Sequence, residues 1–281
     1  MKRLEITLLK YIVLIFFAIV LAGPFVWMVS ASFRTQQDLY QNVLSLIPRD
    51  PSTGKIKITL ENYIMAFKYL SIWRMGLNSL IVALSATALN LFFDSLAAYS
   101  FERLSFPFKK IIFSLLLSTM MIPYYVTLIP SVYIVKKLGL YNTLLGLIIP
   151  FAASVYAIFM LTQFLKGIPR ELDEAAIIDG CGYFGVYWYV ILPLLKPALI
   201  AIGVFTFLWH WNNFLWPLII LDDPEKFTLP IGIAKLSILS RGAKIPLIMA
   251  ATTVAVAPII FLFLLGQRYF IQGLTMSGLK G

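Results

Sequence analysis

The sequence has few charged residues, one cysteine and one histidine. Of its 281 residues, 13% are charged and 60% are hydrophobic, whereas a soluble domain is about 25% charged and about 45–50% apolar. A soluble fold of this length buries about 75% of its unfolded surface, which is too little to hide so much apolar area. The composition excludes a soluble enzyme, a disordered chain and a collagen-like fibre, and it predicts an integral membrane protein.

The scarcity of cysteine and histidine excludes two classes of site. Cys181 alone cannot form a disulfide within the chain, and His210 alone cannot supply a zinc site of the H-E-x-x-H type. The net charge is +10, but lysine and arginine are scattered singly or in pairs and accompany no nucleic-acid motif. We expect no metal site, no catalytic site and no nucleic-acid partner, and we interpret the basic residues as loop charges beside anionic lipid.

Long stretches without charge predict six transmembrane helices. Each has the roughly 20 residues that a helix needs to cross the hydrocarbon core, and none alternates like a β-barrel strand. A seventh run, 180–195, is shorter and contains glycine and proline, so we interpret it as an interfacial helix. The sequence predicts an all-α integral membrane protein with approximate spans at 11–33, 75–99, 111–134, 142–165, 197–221 and 246–268.

Charges around the first predicted span indicate its orientation. Lys2, Arg3 and Lys10 precede it, and only Arg34 follows it closely. By the positive-inside rule this pattern favours a cytoplasmic N-terminus. An even number of spans then places the C-terminus on the same side. We expect an extracytoplasmic segment at 34–74, a cytoplasmic loop at 166–196 and a cytoplasmic tail at 269–281.

The cytoplasmic loop is predicted to form two short helices outside the bilayer. Pro169 and the acidic residues after it are typical of a helix start, and Gly180 is typical of a C-terminal cap. We expect helices at about 170–179 and 183–192, the second of which ends before Pro193.

Two alanines give the first of these helices a face with little side-chain bulk. Such a face, formed by Ala175 and Ala176, can fit deep into a groove on another protein. Alanine is also simply a good helix former. The residues alone leave both interpretations open.

The spacing in this loop resembles the EAA signature of ABC-importer permeases, with valine where isoleucine is commonest. Other segments, including 78–80, 121–130, 138–143, 211–217 and 267–275, resemble the maltose-type carbohydrate subfamily. The resemblance covers nearly the whole chain and is closest to the six-span, G-type permease of the pair. The positions that match the signature are Glu174, Ala175, Ala176, Gly180, Val190, Leu192 and Pro193.

This resemblance implies a fold, a location and a set of partners. It implies a type I ABC importer (MetI-like) permease fold in the cytoplasmic (inner) membrane of a prokaryote. The chain would form half of a pathway for a sugar or a related solute, such as a polyol or glycerol phosphate. The implied partners are a second permease subunit in a heterodimer, two ABC ATPase subunits and an extracytoplasmic solute-binding protein. The implied ATPase-coupling residues are Glu174, Ala175, Ala176, Asp179, Gly180, Val190, Leu192 and Pro193.

The chain carries no P-loop of its own. Gly54-Lys55 lacks both the upstream glycine and the following serine or threonine of that motif. We therefore expect that this chain binds no cofactor and that the partner ATPase uses the ATP. In the resembling family the C-terminal tail reaches between the two ATPase subunits, although a frayed end is the usual state of a terminus.

Polar residues inside the predicted spans are the remaining candidates. Asn212 and Asn213 lie beside Trp211, and amides with aromatic faces commonly hold sugars. With Tyr125 they form the candidate substrate pathway. Alternatively, the asparagines join neighbouring helices and Tyr125 packs or lines a gate. Asp94, the only acid well inside a predicted span, is either structural or a contact for substrate or ion.

Two rival functions need groups that this sequence barely supplies. A secondary transporter needs ion-coupling acids inside its spans, and only Asp94 is available. An intramembrane serine hydrolase would have to use His210 and has no G-x-S-x-G motif. Both remain alternatives to the permease interpretation.

Overall fold

The computed structural model describes the backbone of residues 2–69, 71–239 and 244–278. Within these ranges the chain is α-helical with short 3-10 and π turns, and its one strand-like pairing joins Arg49 to Ile56. The α-helices in chain order are α1 (Lys2–Ser32), α2 (Gln36–Gln41), α3 (Glu61–Tyr69), α4 (Ile72–Arg103), α5 (Lys109–Ser118), α6 (Tyr124–Lys137), α7 (Leu145–Ile148), α8 (Val155–Leu165), α9 (Glu171–Ile178), α10 (Tyr183–Gly185), α11 (Leu192–Asn212), α12 (Leu215–Ile220), α13 (Leu229–Leu239) and α14 (Ile245–Gly278).

The chain divides into two compact units. Unit 1 comprises Met1–Arg74 with Leu229–Pro258, and unit 2 comprises Met75–Thr228 with Ile259–Gly281. Unit 2 contains the predicted coupling loop and every predicted substrate-pathway residue.

The candidate membrane spans include both continuous helices and bent helix pairs. Among the described residues, four stretches are each long and apolar enough to cross a membrane, and two bent pairs pass only when each pair is counted as one span. The pairs are Lys109–Met121 with α6, bent by 103°, and Leu145–Phe151 with α8, bent by 43°. The all-α prediction is confirmed, and the count is four spans or up to six. The four single stretches are Ile6–Ser32, Ile72–Arg103, Tyr183–Asn212 and Ile245–Leu264.

The prediction that the second loop helix ends before Pro193 is wrong. One continuous helical stretch runs from Tyr183 to Asn212, with a π turn at Val186–Ile191. There the N–H of Leu192 donates to the carbonyl of Tyr187, five residues earlier. This wider turn directly before Pro193 alters the hydrogen-bond spacing where proline can neither donate nor fit closely against the preceding turn. Residues 183–196 therefore begin a long helix and are not a separate interfacial helix.

The predicted span at 197–221 is not one continuous helix. α11 ends at Asn212 because the next residue, Asn213, adopts an extended backbone with a ψ of 122°. α12 then begins at Leu215, and the backbone N–H of Trp216 donates to the side-chain oxygen of Asn213 at 3.4 Å. The break places non-helical backbone inside the apolar run, which is tolerated only where protein or a cavity surrounds it.

A single core holds the loop 166–196 against the helices that it connects. Its buried side chains come from α4, α8, α9 and the long helix that begins at Tyr183. Leu161, Leu165, Ile191 and Leu195 are completely buried there. The other members are Ala98, Tyr99, Ala157, Ala176, Val186, Tyr187 and Ile202.

In unit 1 a buried ion pair fastens the chain directly after α1. The Arg34 guanidinium contacts the Asp38 carboxylate at 2.6 Å, and both side chains are 0% exposed. Arg34 also donates to the carbonyls of Asn42 and Ser45 at 2.8 Å each. The second Asp38 oxygen accepts from the Asn42 amide at 3.1 Å. Burial acts to raise the Asp38 pKa, but these hydrogen bonds and the arginine charge together hold it below its usual value.

The C-terminal prediction lies partly outside the described residues. α14 extends to Gly278, so the first part of the predicted tail at 269–281 has helical backbone. Residues 279–281 are not among the described residues, and the role of the tail stays a prediction.

Candidate functional site

The first helix of the predicted coupling loop forms at the expected place. α9 begins with Glu171, Asp173 and Glu174 in its first turn, where the helix dipole favours negative charge. Behind it, Gly180 has a φ of +88°, and the N–H of Cys181 donates to the carbonyl of Ala176 at 2.9 Å. This is a left-handed C-terminal cap, which glycine adopts without steric penalty.

Ion pairs fasten α9 to the end of α4. Arg103 lies 2.9 Å from Asp173 and also donates to the carbonyl of Ile168 at 2.7 Å. Arg170 pairs with Glu102 at 3.4 Å and donates to its carbonyl at 3.0 Å. Ion pairs therefore hold the start of α9 against the end of α4.

The carboxylate of Asp173 is only partly satisfied in this arrangement. Its Oδ1 atom is buried and has no hydrogen-bond partner among the described residues. Burial raises the pKa of Asp173, and the charges of Arg103 and Arg170 offset only part of that effect. The two charges are close, yet neither Asp173 Oδ1 nor Arg103 Nε has a hydrogen-bond partner among the described residues.

The two alanines of the signature do not share one surface. Ala176 is 8% exposed and belongs to the core of unit 2, whereas Ala175 is exposed. Glu174 and Asp179 are exposed as well. The low-bulk face predicted for Ala175 and Ala176 is thus divided between the interior and the surface.

Sequence reasoning missed the most prominent apolar residue of this surface. Ile178 in the last turn of α9 is 85% exposed, and Ile177 and Leu172 are exposed too. These three side chains leave apolar surface exposed around α9. In the sequence, the two isoleucines directly before Asp179 and Gly180 could have indicated this exposed apolar surface.

The remaining signature residues lie on the following helix. Val190 and Leu192 are half-buried and pack against the core, while Pro193 is exposed. Two hydroxyl contacts attach this helix to α4. Tyr187 Oη lies 2.8 Å from Ser95 Oγ, and the Tyr99 hydroxyl donates to the carbonyl of Tyr183 at 3.0 Å. Val190 and Leu192 therefore pack on the same core that contains Ala176 of α9.

The predicted substrate-pathway residues differ in how far their side chains are exposed to solvent. Tyr125 is 74% exposed and Asn212 is exposed, while Asn213 is half-buried at the helix break. Trp211 is buried and stacks on Phe207, with ring centroids 5.6 Å apart. The face of Trp211 is therefore packed within the protein.

A different tryptophan shares the exposed side of α11. Phe205, Trp209 and Asn212 are all exposed, and their spacing of four and then three residues places them on one helix face. Phe205 and Trp209 were not among the predicted pathway residues, although their helical spacing with Asn212 is visible in the sequence. We name these three residues the α11 stripe.

Several helix breaks of unit 2 lie close to the aromatic ring of Phe151. Phe151, which ends the turn after α7, has its ring centroid 5.1 Å from that of Trp209 and 5.4 Å from that of Trp216. His210 and Tyr124 complete the group at 6.1 and 6.4 Å. Tyr124 follows the break at Pro123, and Trp216 follows the break at Asn213.

Several residues within the resembling segments have structural roles. The Asn78 amide donates to the carbonyls of Glu225 and Phe227 at 2.9 and 3.0 Å. Asn142 accepts from the N–H groups of Asp222 and Asp223 at 3.1 Å each. These two asparagines fasten the loop between α12 and α13.

A tryptophan and a glycine fix the contact between α12 and α7. The Trp216 indole donates to the Gly146 carbonyl at 3.0 Å. A Cβ atom at Gly146 would overlap the carbonyl oxygen of Leu140. Only glycine fits this close approach of backbones.

Comparison with known proteins identifies the class. Residues 95–276 match the family described as "Binding-protein-dependent transport system inner membrane component". The chain is 36% identical to the arabinooligosaccharides transport system permease protein AraQ of Halalkalibacterium halodurans, with 100% of both chains covered. It is 30% identical to the sn-glycerol-3-phosphate transport system permease protein UgpE of Agrobacterium fabrum, with 95% of both chains covered.

The fold agrees with that class. A crystal structure of a bacterial ABC transporter involved in the import of the acidic polysaccharide alginate superposes with a TM-score of 0.82 at 21% identity. The match covers 95% of this chain and 96% of the other. The predicted MetI-like permease fold is therefore confirmed.

These findings define a multi-pass inner-membrane permease subunit of a binding-protein-dependent ABC importer, which is not itself an enzyme. The chain belongs to the binding-protein-dependent transport system inner membrane component family. It works with a second permease, an ATPase and a solute-binding protein. The permease prediction is confirmed, and the findings do not support the secondary-transporter or hydrolase alternatives.

Proposed function

We propose that this chain forms half of the translocation pathway of a carbohydrate importer. The cargo would be an oligosaccharide or a related solute, since relatives carry names for arabino-oligosaccharide, lactose and diacetylchitobiose transport. The partners would be a different permease subunit, two ATPase subunits and an extracytoplasmic binding protein. Both termini would be cytoplasmic, and ATP would bind only to the ATPase subunits.

The α11 stripe is the observation that carries the proposed substrate contact. It combines the exposed faces of Phe205 and Trp209 with the exposed amide of Asn212. The Asn212 amide nitrogen donates to the carbonyl of Leu208 at 2.9 Å, which leaves its side-chain oxygen available on the surface. Aromatic surface with a few oriented polar groups suits a sugar.

The test measures uptake of a panel of labelled sugars by the complete importer. Trp209→Ala should raise the KM for transport and leave basal ATPase activity unchanged. Trp73→Ala is the matched control, because Trp73 is also an exposed tryptophan but lies in unit 1. Equal effects of the two changes would contradict a substrate role for the stripe.

We also propose that the exposed side of α9 contacts the ATPase subunit. This surface combines Glu174, Ala175 and Asp179 with the apolar Ile178. Gly180 gives the turn its left-handed shape, while Val190, Leu192 and Pro193 would carry the movement into α11.

Single cysteines test this contact at adjacent positions. In a Cys181→Ser background, Ala175→Cys should crosslink to a cysteine on the ATPase, whereas the buried Ala176→Cys should not. The reverse pattern would show that α9 turns its other side to the ATPase.

A further inference from the structure

The break between α7 and α8 leaves backbone groups without helical partners inside a candidate bent span. The 3-10 turn after α7 ends at Phe151, α8 begins at Val155, and the two helical segments are bent by 43°. In an apolar environment each N–H and C=O group at such a break needs a hydrogen-bond partner. The partners must come from neighbouring side chains or from water.

Two side chains of α4 bind the two sides of this break. The Asn90 amide donates to the carbonyl of Phe151 and, at 3.0 Å, to the carbonyl of Ala86 in its own helix. The Asp94 Oδ1 atom accepts from the backbone N–H of Ser154 at 2.9 Å. Asn90 and Asp94 are both buried, and their spacing places them one turn apart on one face of α4.

The segment that Asn90 and Asp94 bind includes Phe151, whose ring lies beside the helix breaks of unit 2. Phe151 contacts Trp209, the central residue of the α11 stripe, as well as Trp216 and Tyr124. The hydrogen bond from Asn90 is made by the backbone of that same residue. The position of this ring therefore depends directly on the contact with α4.

The contact uses Asp94 as a hydrogen-bond acceptor. Its Oδ2 atom is buried and has no hydrogen-bond partner among the described residues. An asparagine would present the same acceptor to Ser154 without the cost of burying a charge. An ion or substrate contact, by contrast, would require the carboxylate itself.

We propose that Asn90 and Asp94 are positioning residues for transport. They fasten the break between Phe151 and Ser154 to α4, and so set the position of the Phe151 ring beside the translocation pathway. This inference rests on the proposed role of unit 2 in lining that pathway.

The first experiment compares variants in the complete importer. Asp94→Leu and Asn90→Ala should each lower the transport rate about tenfold, since each leaves a partly buried backbone group without its partner. Asp94→Asn should stay within about twofold of the wild type because it keeps the acceptor. Thr87→Val is the control, since the Thr87 hydroxyl is buried on the same helix without a hydrogen-bond partner among the described residues.

The second experiment needs no known cargo. In a Cys181→Ser background, Ala153→Cys reports the solvent access of the break through its rate of thiol labelling. Labelling should rise in Asp94→Leu and Asn90→Ala, and it should stay unchanged in Asp94→Asn and Thr87→Val. If Asp94→Leu does not assemble, Asn90→Ala and Asp94→Asn still give opposite expected results.

Two outcomes would overturn the inference. Loss of transport in Asp94→Asn with unchanged labelling would show that the carboxylate itself is used. Normal transport and labelling in Asn90→Ala would show that the break needs no fastening. Absence of sugar uptake by the wild type would instead contradict the proposed function, and the labelling rates would still decide on the positioning role.

Discussion

Two arginine–aspartate ion pairs, one in each unit, have similarly short distances but differ in hydrogen bonding and in the pKa of the aspartate. Arg34 and Asp38 are completely buried, one turn apart, and every oxygen of Asp38 accepts a hydrogen bond. Arg103 and Asp173 join α4 to α9, and within the part of the chain that the structure describes the Oδ1 atom of Asp173 accepts no hydrogen bond. The pKa of Asp38 is lowered, whereas that of Asp173 is raised.

The difference predicts that the pair in unit 1 contributes more to stability than the pair in unit 2. A buried ion pair stabilises a fold only where geometry and further hydrogen bonds offset the loss of hydration. The pair in unit 1 meets that condition through bonds within one short segment. The pair in unit 2 does not, and it lies at the base of the helix proposed to receive movement from the ATPase.

The largest expected effect on stability comes from breaking the Arg34–Asp38 pair, in which both carboxylate oxygens accept hydrogen bonds. Arg34→Met leaves the charge of Asp38 buried and unpaired, which should lower the free energy of unfolding by about 3–5 kcal/mol. Denaturant titration in mixed micelles measures the change. Lys57→Met, which removes an exposed partner of Asp50, should have little effect. A similar loss in both variants would remove the contrast between buried and exposed pairs.

Breaking the pair between Arg103 and Asp173 should lower stability less than breaking the pair in unit 1. It should have a larger effect on the coupling of ATP hydrolysis to transport. Arg103→Met removes the bond to Ile168 and the partner of Asp173, which should lower the free energy of unfolding by about 1–3 kcal/mol. ATP hydrolysis should then depend less on the loaded binding protein. Asp173→Asn keeps the shape of the contact and serves as the control. Unchanged coupling in Arg103→Met would make the pair purely structural.

The other end of α9 depends on backbone geometry. Gly180→Ala places a Cβ on a residue with a φ of +88°, which should destabilise the turn by about 1 kcal/mol. Gly182→Ala is the matched control, because Gly182 has a φ of −75°. The expected readout is reduced coupling in the first variant alone, and equal behaviour would argue against a strained cap.

The smallest expected effect is on the pH dependence of stability, which should have opposite signs for the two aspartates. The folded pKa of Asp38 is lowered, so its stabilising contribution is complete above the ordinary aspartate pKa of 3.8 and is lost as the pH falls through the folded pKa. The folded pKa of Asp173 is raised above 3.8, so its protonation favours the folded state as the pH falls from neutral towards 3.8. Unfolding titrations of Asp38→Asn and Asp173→Asn against the wild type check both signs. Parallel curves for the two variants would contradict the difference in pKa.

The sequence by itself determined the class of this protein and the local form of α9. Its composition and long apolar runs required a membrane. The acidic first turn and Gly180 fixed a helix at about 170–179, and the structure shows α9 at Glu171–Ile178. These features follow from backbone and solvation preferences that act within a few residues, so one sequence is enough to read them.

Tertiary structure decided what each side chain contacts. It buried Ala176 while leaving Ala175 exposed, carried the helix through Pro193, and brought Trp209 rather than Trp211 to the exposed face of α11. It also placed Asp94 against Ser154, sixty residues further along the chain. Such contacts depend on how helices pack, and no spacing within the sequence specifies which distant backbone group a buried side chain will meet.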